Sequence, residues 1–167
     1  MTEETHVFEK TRAYLRRFIC YEEFENAIVT AFIGHAWLWS IGALTYTPRL
    51  AILSPERECG KSTLLDVLGL LLPNAISSAS MSPAAMYRII EKKKPVLLFD
   101  EADHKFEQNP ELINLINAGF KRGAIVYRTN KETMVVEPFN ADCPLIFAAI
   151  DTGQLPDTVA SRAIPSE

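Results

Sequence analysis

The 167-residue sequence predicts an α/β domain: a three-layer sandwich built on a mostly parallel sheet covered by helices on both faces. Two observations carry this expectation. Short apolar runs alternate with segments of helical periodicity along most of the chain, which favours parallel strands joined by helical crossovers. The stretch RLAILSPERECGKST (residues 49 to 63) also passes from an apolar run through a loop into Gly60-Lys61-Ser62-Thr63 at the start of a helical pattern. That is the layout of a phosphate-binding loop.

The N-terminal 44 residues read as helical. Val7, Phe8, Tyr14, Leu15, Phe18 and Ile19 recur at helical spacing, with Arg12, Arg16 and Arg17 on what is expected to be a solvated face. Residues 23 to 44 form a second, mostly buried helix. Within it Ala27 to Leu44 has no Asp, Glu, Lys or Arg, which is the length of a membrane span. His35, Thr30 and Ser40, two glycines and the absence of a flanking basic cluster favour a buried helix of a soluble domain. A membrane-associated protein is the competing expectation.

The core is expected over residues 45 to 164, and the whole chain as one domain. Arg49 to Leu53 is a strand, and Lys61 to Leu72 a helix stopped by Pro73-Asn74. Ala75 to Ala79 is a second strand. Ser82-Pro83 and Asn109-Pro110 each pair a capping side chain with proline at the first helical position, opening helices to about Lys92 and Gly119. Val96 to Asp100 is a buried strand. Ala124 to Thr129 and Met134 to Glu137 form a hairpin around Asn130-Lys131, and Leu145 to Ile150 is the fourth core strand. A short helix follows, and a fifth strand is either a stub at Ala163 to Pro165 or missing.

Composition sets the bounds. Apolar residues make up 48% and charged residues 23%, as in an ordinary soluble domain. A formal charge of −4 argues against coating nucleic acid by bulk charge, but leaves room for a local basic patch. Cys20, Cys59 and Cys143 form no CxxC and have no His at ligand spacing, which points to a reducing cytoplasmic setting without zinc or disulfides. The first ten residues lack the basic-then-apolar order of a signal peptide.

The candidate chemistry follows from the loop. Backbone N–H groups leading into a helix N-terminus supply many donors to a phosphate, and the helix dipole adds to the attraction. Glu56, Arg57, Glu58, Cys59, Gly60, Lys61, Ser62 and Thr63 form the expected nucleotide-binding stretch. Lys61 reaches the β- and γ-phosphates, and Ser62 places a hydroxyl on Mg²⁺. Pro55 stands where the motif asks for glycine and has no N–H, and Glu56 and Glu58 add negative charge to a loop meant for an anion. Downstream, PVLLFDEAD (residues 95 to 103) puts two acids at a strand end. Asp100 is the expected Mg²⁺ ligand and Glu101 the group that polarises the attacking water. Asp103 and His104 belong to the site or merely cap the strand. The Asn-Lys-x-Asp motif that reads guanine is absent, so ATP is the expected nucleotide.

Taken in order, RLAILSP with CGKST, SMSPAAMYRIIE, PVLLFDEAD, LINLINAGFKRGAIVYR and LPDTVASRAI resemble a family of bacterial and phage ATPase domains of unknown function. That family is often found with primase–polymerase or helicase-like modules. The resemblance covers about residues 45 to 164. It implies an AAA+-like P-loop ATPase core, a homo-oligomer, and DNA or a replication protein as partner. It also implies that Asp151 or Thr152 senses the γ-phosphate. Arg162 either acts as a finger on the neighbouring subunit's nucleotide or makes a surface ion pair. Arg128 and Lys131 of the hairpin are candidate nucleic-acid contacts, the alternative being a plain extension of the sheet. The sequence ends at Glu167, so the expectation is a core lacking the C-terminal helical lid. A regulatory or scaffold module that binds nucleotide with little turnover is the competing function.

Overall fold

The computed structural model describes residues 3–19, 22–54, 60–78, 81–100, 102, 109–130, 133–150 and 157–166. In chain order the elements are α1 (Glu3–Leu15), α2 (Glu23–Ser40), β1 (Arg49–Ser54), α3 (Lys61–Leu71), β2 (Ala75–Ser78), α4 (Pro83–Lys93) and β3 (Val96–Phe99). There follow α5 (Pro110–Ala118), β4 (Ile125–Thr129), β5 (Val136–Asn140), β6 (Leu145–Ile150), α6 (Asp157–Ala160) and β7 (Ala163–Ser166). Five strands form one sheet in the order β2-β3-β6-β1-β7, every pairing parallel, while β4 and β5 form a separate antiparallel pair.

Because side chains alternate across a strand, the sheet feeds two cores. Leu50 and Ile52 of β1, Val96 and Leu98 of β3, and Ile146 and Ala148 of β6 pack with α1, α2 and α3. Ala51, Leu97, Phe99, Leu145, Phe147 and Ala149 face the other way, against α4, α5 and α6. This is the expected three-layer sandwich. Each fully buried Leu or Phe contributes about 1.5–3 kcal/mol, so the central strands hold the site's scaffold far more firmly than any surface pair does.

The helix starts follow the capping signals. Ser82 Oγ accepts from Ala85 N–H at 3.3 Å with Pro83 in the first turn. Asn109 Oδ1 accepts from Leu112 N–H at 3.3 Å with Pro110 in the first turn. The fifth strand is present: β7 lies beside β1, Arg49 level with Ala163. The hairpin forms, but its second strand begins at Val136 rather than Met134. Asn130 N–H donates to Val135 O and Met134 N–H to Asn130 O, each at 2.8 Å, which holds Met134 and Val135 outside the strand.

Among the described residues no helix is long and apolar enough to cross a membrane. The apolar run is shared between α2 and the turn after it, where Gly42 takes φ +83° and ends the helix. Arg12 and Arg16 are not simply solvated. Arg12 Nη2 meets Glu23 at 2.6 Å and Arg16 Nη2 meets it at 3.4 Å, tying α1 to the start of α2. These cations hold the Glu23 carboxyl below its usual range, Arg12 contributing most.

The segment after α5 is a junction at the amino ends of the strands. Thr47 N–H donates to Phe120 O at 2.8 Å, Arg122 N–H to Thr45 O at 2.8 Å, and Ala141 N–H to Ala124 O at 2.9 Å. Arg122 adds two bonds, Nε to Leu44 O at 2.7 Å and Nη2 to Trp39 O at 2.6 Å, with its guanidinium 4.0 Å from the Trp39 ring centre. Its charge thus sits at the carbonyl end of α2, where a cation is favoured.

Arg49, only 1% exposed, does the same for α5. Its Nη2 donates to Ile116 O at 2.6 Å, in the last turn of α5, and its Nη1 to Cys143 O at 2.6 Å. Burial draws its pKa down to about 10, so it stays charged at neutral pH, with no carboxylate partner among the described residues. Gly119 lies against this arrangement. A Cβ there would stand 2.2 Å from Ala141 O and 3.0 Å from Arg49 Nη2.

Candidate functional site

The carboxyl ends of the parallel strands form the candidate site, the edge where open α/β sheets place ligands. β1 ends at Ser54, which is 7% exposed. The next described residue is Gly60, with φ +81°, directly before α3. An added Cβ at Gly60 would meet nothing within 4 Å, so the need for glycine is conformational rather than steric. Gly60 has no side chain to cap α3, and the first turn of that helix presents its N–H groups toward this edge.

Lys61 is half-buried, and its Nζ donates to Ser54 Oγ. Ser62 Oγ donates to Asp100 Oδ2 at 2.6 Å. Asp100 directly follows Phe99, the last residue of β3. β6 runs between β1 and β3 and ends at Ile150, level with Ser54. Thus Asp100, from the end of β3, comes together with the adjacent Lys61 and Ser62 at the N-terminus of α3. The grouping offers a cation, a hydroxyl and a carboxylate within one small polar edge above an apolar sheet. Ser62 Oγ and the Asp100 carboxylate are hard oxygen donors of the kind that suit Mg²⁺.

Glu56, Arg57, Glu58, Cys59, Glu101, Asp103, His104, Lys131, Asp151 and Thr152 lie outside the described residues. Thr63 is exposed in the first turn of α3.

Arg162 is not brought to this edge within one chain. It immediately precedes β7, and its carbonyl accepts from Arg49 N–H at 2.9 Å, at the amino end of the sheet. Its Nη1 donates to Thr158 O at 2.7 Å and to Asn117 Oδ1 at 3.3 Å, and its guanidinium stands 5.0 Å from the Phe120 ring centre. Arg128 points inward from the hairpin. It bonds both Glu111 oxygens, at 3.0 and 2.8 Å, and lies 4.7 Å from the Tyr87 ring centre. Glu111 holds the Arg128 pKa above its ordinary value, while burial pushes the Tyr87 hydroxyl up.

Ser54 was not singled out from sequence. Its signal is a lone hydroxyl closing an apolar strand just before the loop. Arg49 was read only as the start of a strand, because a charged residue at a strand edge ordinarily reaches for solvent.

The sequence matches no family model and no curated protein. The ATPase resemblance therefore stands on the motif blocks of this chain alone.

Proposed function

We propose that this domain binds ATP with Mg²⁺ and hydrolyses it, as an oligomeric, helicase-like component acting on DNA or within a replication complex. The observation that carries this reading is the Ser62–Asp100 contact, which unites the two motifs expected to share a magnesium ion. Lys61 at the same helix start and the placement of the group at the carboxyl edge of the sheet support it further. The all-parallel five-stranded sheet supports the AAA+-like P-loop core that the resemblance implies.

In this reading the first-turn N–H groups of α3 and Lys61 bind the β- and γ-phosphates and offset their charge. Ser62 and Asp100 would hold the metal, which would supply positive charge to offset the charge of the reacting phosphates. Glu101 takes the proton of the attacking water as the γ-phosphoryl bond breaks, giving ADP and phosphate. Arg162, at the far end of its own sheet, would act only on a neighbouring subunit's nucleotide.

The test is steady-state phosphate release with ATP and Mg²⁺, with nucleotide binding measured alongside. Glu101→Gln should abolish release and spare binding, while Lys61→Ala should lose both. Equal turnover by Glu101→Gln and the parent would overturn the assignment of the base.

Pro55, Glu56 and Glu58 favour a second reading, a regulatory or scaffold module that binds nucleotide and barely turns it over. Measurable ATP affinity with flat, near-zero phosphate release, with or without single-stranded DNA, would select it.

A further inference from the structure

The amino end of the sheet, opposite the Ser62–Asp100 edge, carries a basic strip for which the nucleotide site has no use. α4 ends in Lys92 and Lys93, and Lys94 follows as its cap in a left-handed conformation, φ +44°. All three are exposed, and among the described residues none is in an ion pair. With Arg122 they line a cleft of about 470 Å³. Asp142 is the carboxylate that lines the cleft, and Glu91, next to Lys92 on α4, accepts from the N–H of the lining residue Asn140 at 2.7 Å. Cations therefore outnumber acids locally in a chain whose formal charge is −4.

An open aromatic surface adjoins the strip. Tyr46 is 56% exposed, stacks on Phe120 at 6.0 Å, and is bridged through its backbone to Lys121, the neighbour of Arg122. The Lys121 ammonium lies 5.9 Å from the Tyr46 ring centre.

We propose that this end of the sheet binds single-stranded nucleic acid, with Lys92, Lys93 and Lys94 meeting successive phosphates, Arg122, held on the Leu44 and Trp39 carbonyls, adding positive charge to the cleft, and Tyr46 stacking on a base. Three observations favour this occupant. The cations are spread along an open cleft rather than converging on one point, which matches a polymer of regularly spaced charge better than a small anion. Lysines are compact point charges suited to phosphate, whereas a carboxylate-bearing peptide gains most from paired guanidinium forks. An exposed ring beside a basic groove is the combination that holds unstacked bases, which neither a duplex nor an acidic peptide offers. The site is separate from the proposed ATP site and does not depend on it.

Fluorescence anisotropy of labelled oligo(dT), without nucleotide and across a salt series, tests the proposal. Three phosphate contacts at about 0.7 counterions each give a slope of log affinity on log salt near −2. Lys92→Gln with Lys93→Gln should reduce that slope by about 1.4, and Tyr46→Ala should weaken binding with the slope unchanged. Lys10→Gln with Arg17→Gln, exposed on or just after α1, removes equal charge elsewhere and should change nothing. Should the paired lysine variant lose its fold by circular dichroism, Lys93→Gln alone is read against an expected change of about 0.7. Absence of binding at about 50 mM salt would overturn the proposal. So would equal losses in the control pair, or competition by duplex or polyglutamate as effective as by oligo(dT).

Discussion

Ser62 and Asp100, 38 residues apart in sequence, are joined by a 2.6 Å hydrogen bond from hydroxyl to carboxylate. The bond lies at an exposed edge, so its own contribution to stability is small, about 1 kcal/mol. Its importance is positional: it aligns two oxygen groups, one from α3 and one from the end of β3. Asp100→Asn should therefore leave thermal stability nearly unchanged. Under the proposed function it should also remove any Mg²⁺-dependent gain in ATP affinity, read by calorimetric titration with Mg²⁺ and with a chelator.

Arg162 is bound at the opposite end of the sheet, on Thr158, Asn117 and the Phe120 ring. If its catalytic role is in trans, Lys61→Ala and Arg162→Ala proteins should each be inactive alone. Mixed, they should regain part of the phosphate release, because some interfaces then pair an intact Lys61 site with an intact Arg162. Activity of isolated Arg162→Ala equal to the parent would leave this arginine a purely architectural role.

Gly119 is fixed by backbone rather than by neighbouring side-chain tips. A methyl group there would collide with Ala141 O at 2.2 Å and crowd Arg49 Nη2 at 3.0 Å. Gly119→Ala should destabilise the domain by about 1–3 kcal/mol, seen as a lower urea midpoint with unchanged slope.

His35 sits against an apolar pocket formed with Ile28, Ala31, Phe32, Pro48 and Ile164, and its Nε2 has no hydrogen-bond partner among the described residues. Burial lowers its pKa below the ordinary 6.5. The unfolded chain therefore takes up this proton first as pH falls. Stability from the neutral ring is present above about pH 6.5 and is lost as pH drops through the lower folded value. Thermal midpoints should fall between pH 7 and pH 5, and His35→Gln should flatten that decline.

Cys143 is fully buried, and burial pushes its thiol up to about 12. In a Cys20→Ser, Cys59→Ser background, thiol reagents at neutral pH should leave the native protein unlabelled and modify it on addition of denaturant.

Much of this was legible because the deciding signals are local. Ser82-Pro83 and Asn109-Pro110 announced two helix starts, and the apolar runs at 49–53, 96–100 and 145–150 announced three buried strands. Lys61, Ser62 and Asp100 could be paired from sequence because each closes or opens such an element. What escaped was long-range. That Arg49 turns inward to Ile116 and Cys143 carbonyls depends on which helix end arrives beside it, and no periodicity encodes that. The role of Arg122 at the end of α2, and the inward turn of Arg128 toward Glu111, were hidden for the same reason. The Ala163–Ser166 strand was ambiguous because a four-residue run with a proline carries little β signal until β1 is there to pair with it.

The central place of β6 has a consequence for biogenesis. β1, which leads into the Lys61 helix, and β3, which carries Asp100, touch through β6 rather than each other. On a ribosome both motifs emerge well before Leu145–Ile150, and until that strand is inserted they have no common scaffold. Assembly of the Ser62–Asp100 edge thus waits on distant pairing, which is entropically slow. The nascent chain, with β1 and β3 each missing a partner, would spend that interval exposed to chaperones and to aggregation.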